Sequence, residues 1–244
     1  MGADFRDYDN DGREDIFITA LSNESFPLFR NLGGRRFADL TYPSGIGRAA
    51  MQWTGWSAGM FDFNNDGWKD IFVAGGHVMD NAEISSGRKS RQPNIVFTNR
   101  ADRYDAKLLP GEALHRGAAF GDFDRDGRID VAVTRLNEQP LVLRNTSAAG
   151  NWIDFRLIGR KSNRDGIGAR LHLTSASGEQ WNRVTTSAGY GYSSDRIVHF
   201  GLGKDIQVDG LEIQWPSGIA QHLGAFAANR LDTITEPGAS DGTF

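Results

Sequence analysis

Apolar residues in this chain fall in short runs separated by polar, glycine-rich turns. Three of the runs share one setting. Ile16-Phe17-Ile18-Thr19, Ile71-Phe72-Val73-Ala74 and Val131-Ala132-Val133-Thr134 each follow an acidic loop directly. β-Branched and aromatic residues at that density predict strands rather than helices. A second run precedes each of the later loops, Ser57–Phe61 and Gly117–Gly121, and Gly2-Ala-Asp-Phe5 stands before the first. Beyond each loop the chain reaches Leu28-Phe-Arg-Asn31, Val96-Phe-Thr-Asn99 and Val142-Leu-Arg-Asn145. The unit is therefore strand, acidic loop, strand, strand, and it recurs three times. In the middle copy an insertion of about a dozen residues lies within 77–93, and insertions in repeat arrays map to loops on one face. The short first strand predicts a chain that opens inside a repeat.

After Asn145-Thr-Ser-Ala-Ala-Gly150, which reads as a linker, the acidic loops stop. Alternating segments follow at Asn151–Gly159, Gly168–Thr174, Trp181–Thr186, Ile197–Phe200, Val208–Trp215 and Leu231–Thr235. Short strands at regular spacing predict a compact β-sandwich or barrel. The expected organisation is residues 1–148, then 149–238, then a tail 239–244.

The loops carry the candidate chemistry. Asp7, Asp9, Asp11 and Asp15 occupy positions 1, 3, 5 and 9 of the first, with Gly12 at position 6. Asp122, Asp124, Asp126 and Asp130 repeat that pattern around Gly127. The middle loop has Asp62, Asn64, Asp66 and Asp70 around Gly67. Asp, Asn and Gly favour turns without any ion. Eleven carboxylates in one shared register point further, to a hard cation with six to eight oxygen ligands. The expected ligands are these side chains and the position-7 carbonyls of Arg13, Trp68 and Arg128, giving about three Ca2+ ions. An EF-hand needs glutamate at position 12, where this chain has Ile18, Val73 and Val133.

Composition narrows the classes. There is no cysteine, and the histidines never fall at metal spacing, so soft-ligand zinc sites are excluded. Thirty glycines fit a turn-rich all-β chain. Formal charge is −4, and three divalent ions would move it to about +2. No basic stripe points to nucleic acid, and no apolar run reaches membrane-spanning length.

The repeats resemble the FG-GAP/VCBS type, the calcium-loop blades also found in integrin α-subunit propellers. Phe120-Gly121 matches the motif of that name; Phe5-Arg6 and Met60-Phe61 depart from it, so the resemblance rests on the acidic loops. Residues 150–237 resemble the ASPIC/UnbV domain through Ser162–Arg170, Gly189-Tyr-Gly-Tyr192, His199-Phe-Gly-Leu-Gly203 and Trp215-Pro-Ser-Gly218. The pairing is similar to the cartilage acidic protein family. It implies an all-β chain, a partial β-propeller of about three blades followed by a small β-sandwich or barrel. It also implies a secreted, periplasmic or cell-surface location, calcium binding, and adhesion or recognition of a protein or glycan partner. Further blades upstream are expected, since a closed propeller of this type has about seven.

Two functions follow. One is a non-enzymatic recognition module with structural calcium. The other is an enzyme on extracellular polysaccharide, needing a general base such as Tyr190, Tyr192 or His199 facing a groove. An aromatic groove with a perturbed base would favour the enzyme; loops remote from any pocket would favour the module. Individually, Asn163–Gly166 reads as a glycine turn with Asp165 accepting backbone amides. Trp215 reads as a buried strand end, and His199 as a hydrogen-bonded strand residue. No Gly-x-Ser-x-Gly elbow supports a serine hydrolase.

Overall fold

The computed structural model describes residues 1–101 and 103–238, so the expected tail 239–244 lies outside the described residues. The chain is all-β. In the first repeat β1 (Ala3–Arg6), β2 (Asp15–Ile18), β3 (Leu28–Asn31) and β4 (Phe37–Asp39) pair in sequence order. A helical turn, α1 (Ile46–Ala50), leads to β5 (Gly55–Phe61) and β6 (Asp70–Gly75). The inserted α2 (Ala82–Ser86) separates these from β7 (Ile95–Asn99) and β8 (Tyr104–Leu108), and the four strands again pair in order. The third sheet has three strands, β9 (His115–Gly121), β10 (Asp130–Arg135) and β11 (Glu138–Leu143). Each acidic loop joins the first two strands of its sheet.

The three sheets stack face to face. β6 is buried along its whole length. Its period of two sends Ile71 and Val73 into a core with Phe17 and Phe26 of the first repeat region and Met60 of the neighbouring β5. Phe72 and Ala74 point the other way, into a core with Phe120, Val131 and Val133 of the third sheet.

The second half supplies β12 (Asn151–Ile158), β13 (Arg170–Ser175), β14 (Gly178–Arg183), β15 (Val198–Gly203), β16 (Gln207–Val208), β17 (Gly210–Gln214), β18 (Ala220–Leu223), β19 (Phe226–Ala227) and β20 (Arg230–Thr235). They form sheets of order β15-β12-β20 and β14-β13-β17-β18 and a β16–β19 ribbon. Ile153 and Phe155 of one sheet and Leu171, Leu173 and Ile213 of the other share one core. Trp215 is 1% exposed and its Nε1 donates to Gln221 Oε1, as its reading as a buried strand end requires. An expectation of about three repeat sheets and one further β unit thus meets five sheets of three or four strands among the described residues.

Asn145–Gly150 is not a free linker. Gly150 donates its N–H to Asn64 O, and Ser147 Oγ donates to Phe63 O. The chain is laid against the middle acidic loop here.

Candidate functional site

The three acidic loops are built alike, atom for atom. The first aspartate (Asp7, Asp62, Asp122) accepts the position-5 N–H at 3.1 Å and the glycine N–H at 2.7–2.8 Å. The last (Asp15, Asp70, Asp130) accepts the N–H of position 2 and that of Asn31, Asn99 or Asn145, at or just past the end of the third strand. Position 4 is left-handed in each loop, at φ 58° (Asn10), 57° (Asn65) and 60° (Arg125). The following glycine, at φ 81–91°, completes a bend that a side chain would strain.

This bracing concentrates charge. Oxygens of Asp7, Asp9 and Asp15 lie within 4.8 Å of one another, as do those of Asp122, Asp124 and Asp130. Burial, reinforced by the neighbouring carboxylates, pushes Asp9 up to about 6. Burial likewise raises Asp15 to about 7, Asp62 to about 6 and Asp70 to about 8, against backbone N–H groups that pull each down. One buried oxygen, Asp9 Oδ1, has no hydrogen-bond partner. An orphaned carboxylate oxygen beside two more carboxylates fits a hard cation, so the first loop fits calcium, and the third shares its donor set. Arginines answer part of that charge: Arg30 and Arg13 contact Asp9 and Asp11, and Arg144 and Arg128 contact Asp124 and Asp126. The middle loop differs. Thr98 and Trp68 stand where the other repeats have arginine, and Asn64 Nδ2 donates to Asp66 Oδ2.

The loops are also tied to one another. Asn10 Nδ2 donates to Gly67 O, and Asn65 Nδ2 donates to Gly127 O, each at 2.9 Å. Thus position 4 of one loop holds the position-6 carbonyl of the next. In the return direction Asn99 Nδ2 reaches Tyr8 O at 3.3 Å and Asn145 Nδ2 reaches Phe63 O at 2.7 Å.

All three loops face the second half of the chain. The Cα of Gly12 sits under Trp181, that of Gly67 under Gln180, and that of Gly127 under Trp152; a Cβ at Gly127 would lie 1.9 Å from the Trp152 ring. Lys69, buried between the first two loops, donates to Trp181 O at 3.1 Å. His199 donates from Nδ1 to Asp154 Oδ1 (2.7 Å) and from Nε2 to Asn65 Oδ1 (2.8 Å). The Asn65 amide is fixed by its Nδ2 bonds to Gly127 O and Gly150 O, so both histidine nitrogens carry protons. Burial alone would lower the His199 pKa; Asp154 and the loop carboxylates outweigh it and raise it.

The Gly189-Tyr-Gly-Tyr192 segment inserts among the first strands of the three repeat sheets. Gly189 donates to Ala3 O, Tyr190 N–H to Ser57 Oγ, and Asp195 N–H to Phe120 O. The Tyr190 ring meets Trp56 at 5.0 Å. A Cβ at Gly117 would lie 1.7 Å from the Tyr192 ring.

Several readings from the sequence change here. Asp165 does not accept amides across its turn: it pairs with Arg196 at 2.6 Å, and Asn163 Oδ1 accepts the Ile167 N–H instead. Tyr190, Tyr192 and His199 do not converge, and His199 has no lone pair left to act as a base. The loops are not remote from a pocket, because Asp122 lines a cleft beside Trp152. One residue escaped the sequence reading. Glu236 is fully buried, with Oε2 accepting the N–H groups of Arg160, Lys161 and Ser162 at 2.7–2.8 Å. Its Oε1 accepts from the hydroxyls of Ser162 and Ser217. Two of the quoted segments therefore converge on a glutamate eighteen residues beyond the second of them.

Residues 7–73 match the FG-GAP-like repeat family, and residues 159–241 match the ASPIC and UnbV family. It is homologous to cartilage acidic protein 1. The Homo sapiens protein is 27% identical over 256 residues, covering 98% of this chain and 37% of that protein. The Xenopus tropicalis protein is 28% identical, covering 89% of this chain and 34% of that protein. The chain spans about a third of the length of these relatives. Among solved structures, the backbone protein of group B streptococcus pilus 2b aligns over 97% of this chain and 96% of that chain at 9% identity. Its TM-score of 0.21 carries no fold assignment.

Proposed function

We propose that this chain is a non-enzymatic, calcium-stabilised recognition module. Residues 1–148 form about three propeller blades, and residues 149–238 form a small β-sandwich clamped onto their acidic-loop face. The observation that carries this reading is that Gly12, Gly67 and Gly127 all lie against the second half. Calcium bound there would neutralise the loop carboxylates and hold the face to which the sandwich docks. Asp7, Asp9, Asp11 and Asp15 would hold one ion with the Arg13 carbonyl; Asp122, Asp124, Asp126 and Asp130 would hold another with the Arg128 carbonyl. Asp62, Asn64, Asp66, Asp70 and the Trp68 carbonyl would form a third, weaker site, having one carboxylate fewer. Ion binding to the folded state alone adds RT ln(1 + [L]/Kd) to stability.

The similarity to cartilage acidic protein 1 speaks for a secreted, periplasmic or cell-surface setting, and the proposal includes a protein or glycan partner. Among the described residues no helix is long and apolar enough to cross a membrane. Against the polysaccharide-enzyme reading stands His199, whose two ring nitrogens both bond to protein acceptors. Calcium titration by calorimetry, with melting curves in calcium and in chelator, tests the proposal. Two to three ions and a raised melting temperature are expected; identical curves in both conditions overturn it.

A further inference from the structure

Between the third repeat sheet and β12 lies a cleft of about 270 Å3. The aromatic side chains of Phe61, Phe123 and Trp152 line it, together with Arg125 and Arg156. It adjoins a hollow of about 410 Å3, which shares Arg156, Asp195 and Ile197 with it and adds Arg164 and Arg196. Together they make one groove within the size range of small-molecule sites.

The charges along the groove are unequal in their freedom. Asp154 is bonded to His199, and Asp165 pairs with both Arg164 and Arg196. Asp195 accepts the N–H groups of Arg196 and Ile197, and Asp122 those of Asp126 and Gly127. Every carboxylate is thus engaged. The side chains of Arg125 and Arg156 have no hydrogen bond or ion pair among the described residues. Arg125 also breaks the loop pattern, standing where the first two loops have asparagine. Phe123 is 51% exposed and turns its ring to the groove.

We propose that this groove binds an acidic saccharide unit. Trp152 and Phe123 offer flat apolar faces to a sugar ring. Arg125 and Arg156 offer planar forks that match a carboxylate or a sulfate. Two ligand sources share this chemistry, a hexuronate and a sulfated hexose within a polysaccharide. The assignment rests on the recognition reading and gives it a ligand class.

The test is calorimetric titration of the calcium-loaded full chain with three oligosaccharides of equal length: an oligohexuronate, a sulfated neutral-sugar oligomer and an uncharged oligomer. One or both anionic oligomers bind, more weakly as salt rises, and the uncharged one does not. Which anionic oligomer binds distinguishes the sources. Arg156→Ala weakens binding about tenfold or more with an unchanged melting temperature, and Arg156→Lys falls between. Equal affinity for the uncharged oligomer, an undiminished Arg156→Ala variant, or no binding of either anionic oligomer at millimolar concentration overturns the proposal. Those results leave the calcium-dependent melting untouched, so failure of the groove is separable from failure of the module.

Discussion

Asn65 Oδ1 accepts a 2.8 Å hydrogen bond from His199 Nε2, joining the fourth residue of the middle acidic loop to strand β15 of the second half. Because Asp154 takes the other ring N–H, the histidine sits as an imidazolium between two buried acceptors. Its raised pKa makes the link pH-dependent. The stability it supplies is complete below the unfolded value of about 6.5 and is lost as pH rises through the folded value. His199→Leu should cost about 3–5 kcal/mol, since it strands Asp154. Denaturant unfolding of both proteins across pH checks this: the gap between them should narrow from about pH 6.5 upward. A gap that widens is the opposite sign and sinks the assignment.

The loop-to-loop bonds of Asn10 and Asn65 predict a graded loss. Asn10→Gly keeps the left-handed backbone but removes the donor to Gly67 O, and about 1 kcal/mol should go with it. Asn65→Gly should cost more, because that side chain also serves His199. Urea midpoints for the two variants give the comparison.

Gly117 has no room for a methyl group beneath Tyr192. Gly117→Ala should therefore lower stability by about 1–3 kcal/mol through overpacking and push the 189–192 segment out from the repeat sheets. Tyr192→Ala in the same chain should restore part of the loss, which a double-mutant cycle measures.

Glu236 has a pKa lowered to about 2; burial opposes this, and the hydroxyls of Ser217 and Ser162 with the amides of Arg160 and Ser162 prevail. A lowered carboxylate contributes stability above its unfolded value of about 4.3, lost as pH falls towards 2. Glu236→Ala should cost about 2–4 kcal/mol at neutral pH by leaving three amides unpaired. It should also flatten the acid limb of the stability profile.

In the loops, Asp126→Ala should lower both calcium affinity and melting temperature, whereas Asn64→Asp should tighten the middle site. Calorimetry on each variant decides; weaker binding by Asn64→Asp would count against Asn64 as a ligand.

Much of this was legible in the chain because it is local. The strand after each loop announces itself in runs such as Ile71-Phe72-Val73-Ala74, and the loops in their acidic register. What escaped is long-range. Nothing local in Gly189-Tyr-Gly-Tyr192 says that it lies against three strands from elsewhere, because a glycine under a distant ring looks like a turn glycine. Glu236 sits in an unremarkable Thr-Glu-Pro, and only the closed fold brings Ser162 and Ser217 to it. The short strands β18 and β19 went unread for a related reason: Ala220–Leu223 and Phe226–Ala227 carry little alternation of their own and are held by their partners.

The strand β6 carries a last consequence. Its odd and even residues are committed to different neighbours, Phe17 on one side and Phe120 on the other. The repeats are therefore not interchangeable cassettes. Excising the middle one would not let its flanks close ranks, because each was shaped against the face removed. A copy could be added or removed without such repacking only at a repeat with a face still uncommitted.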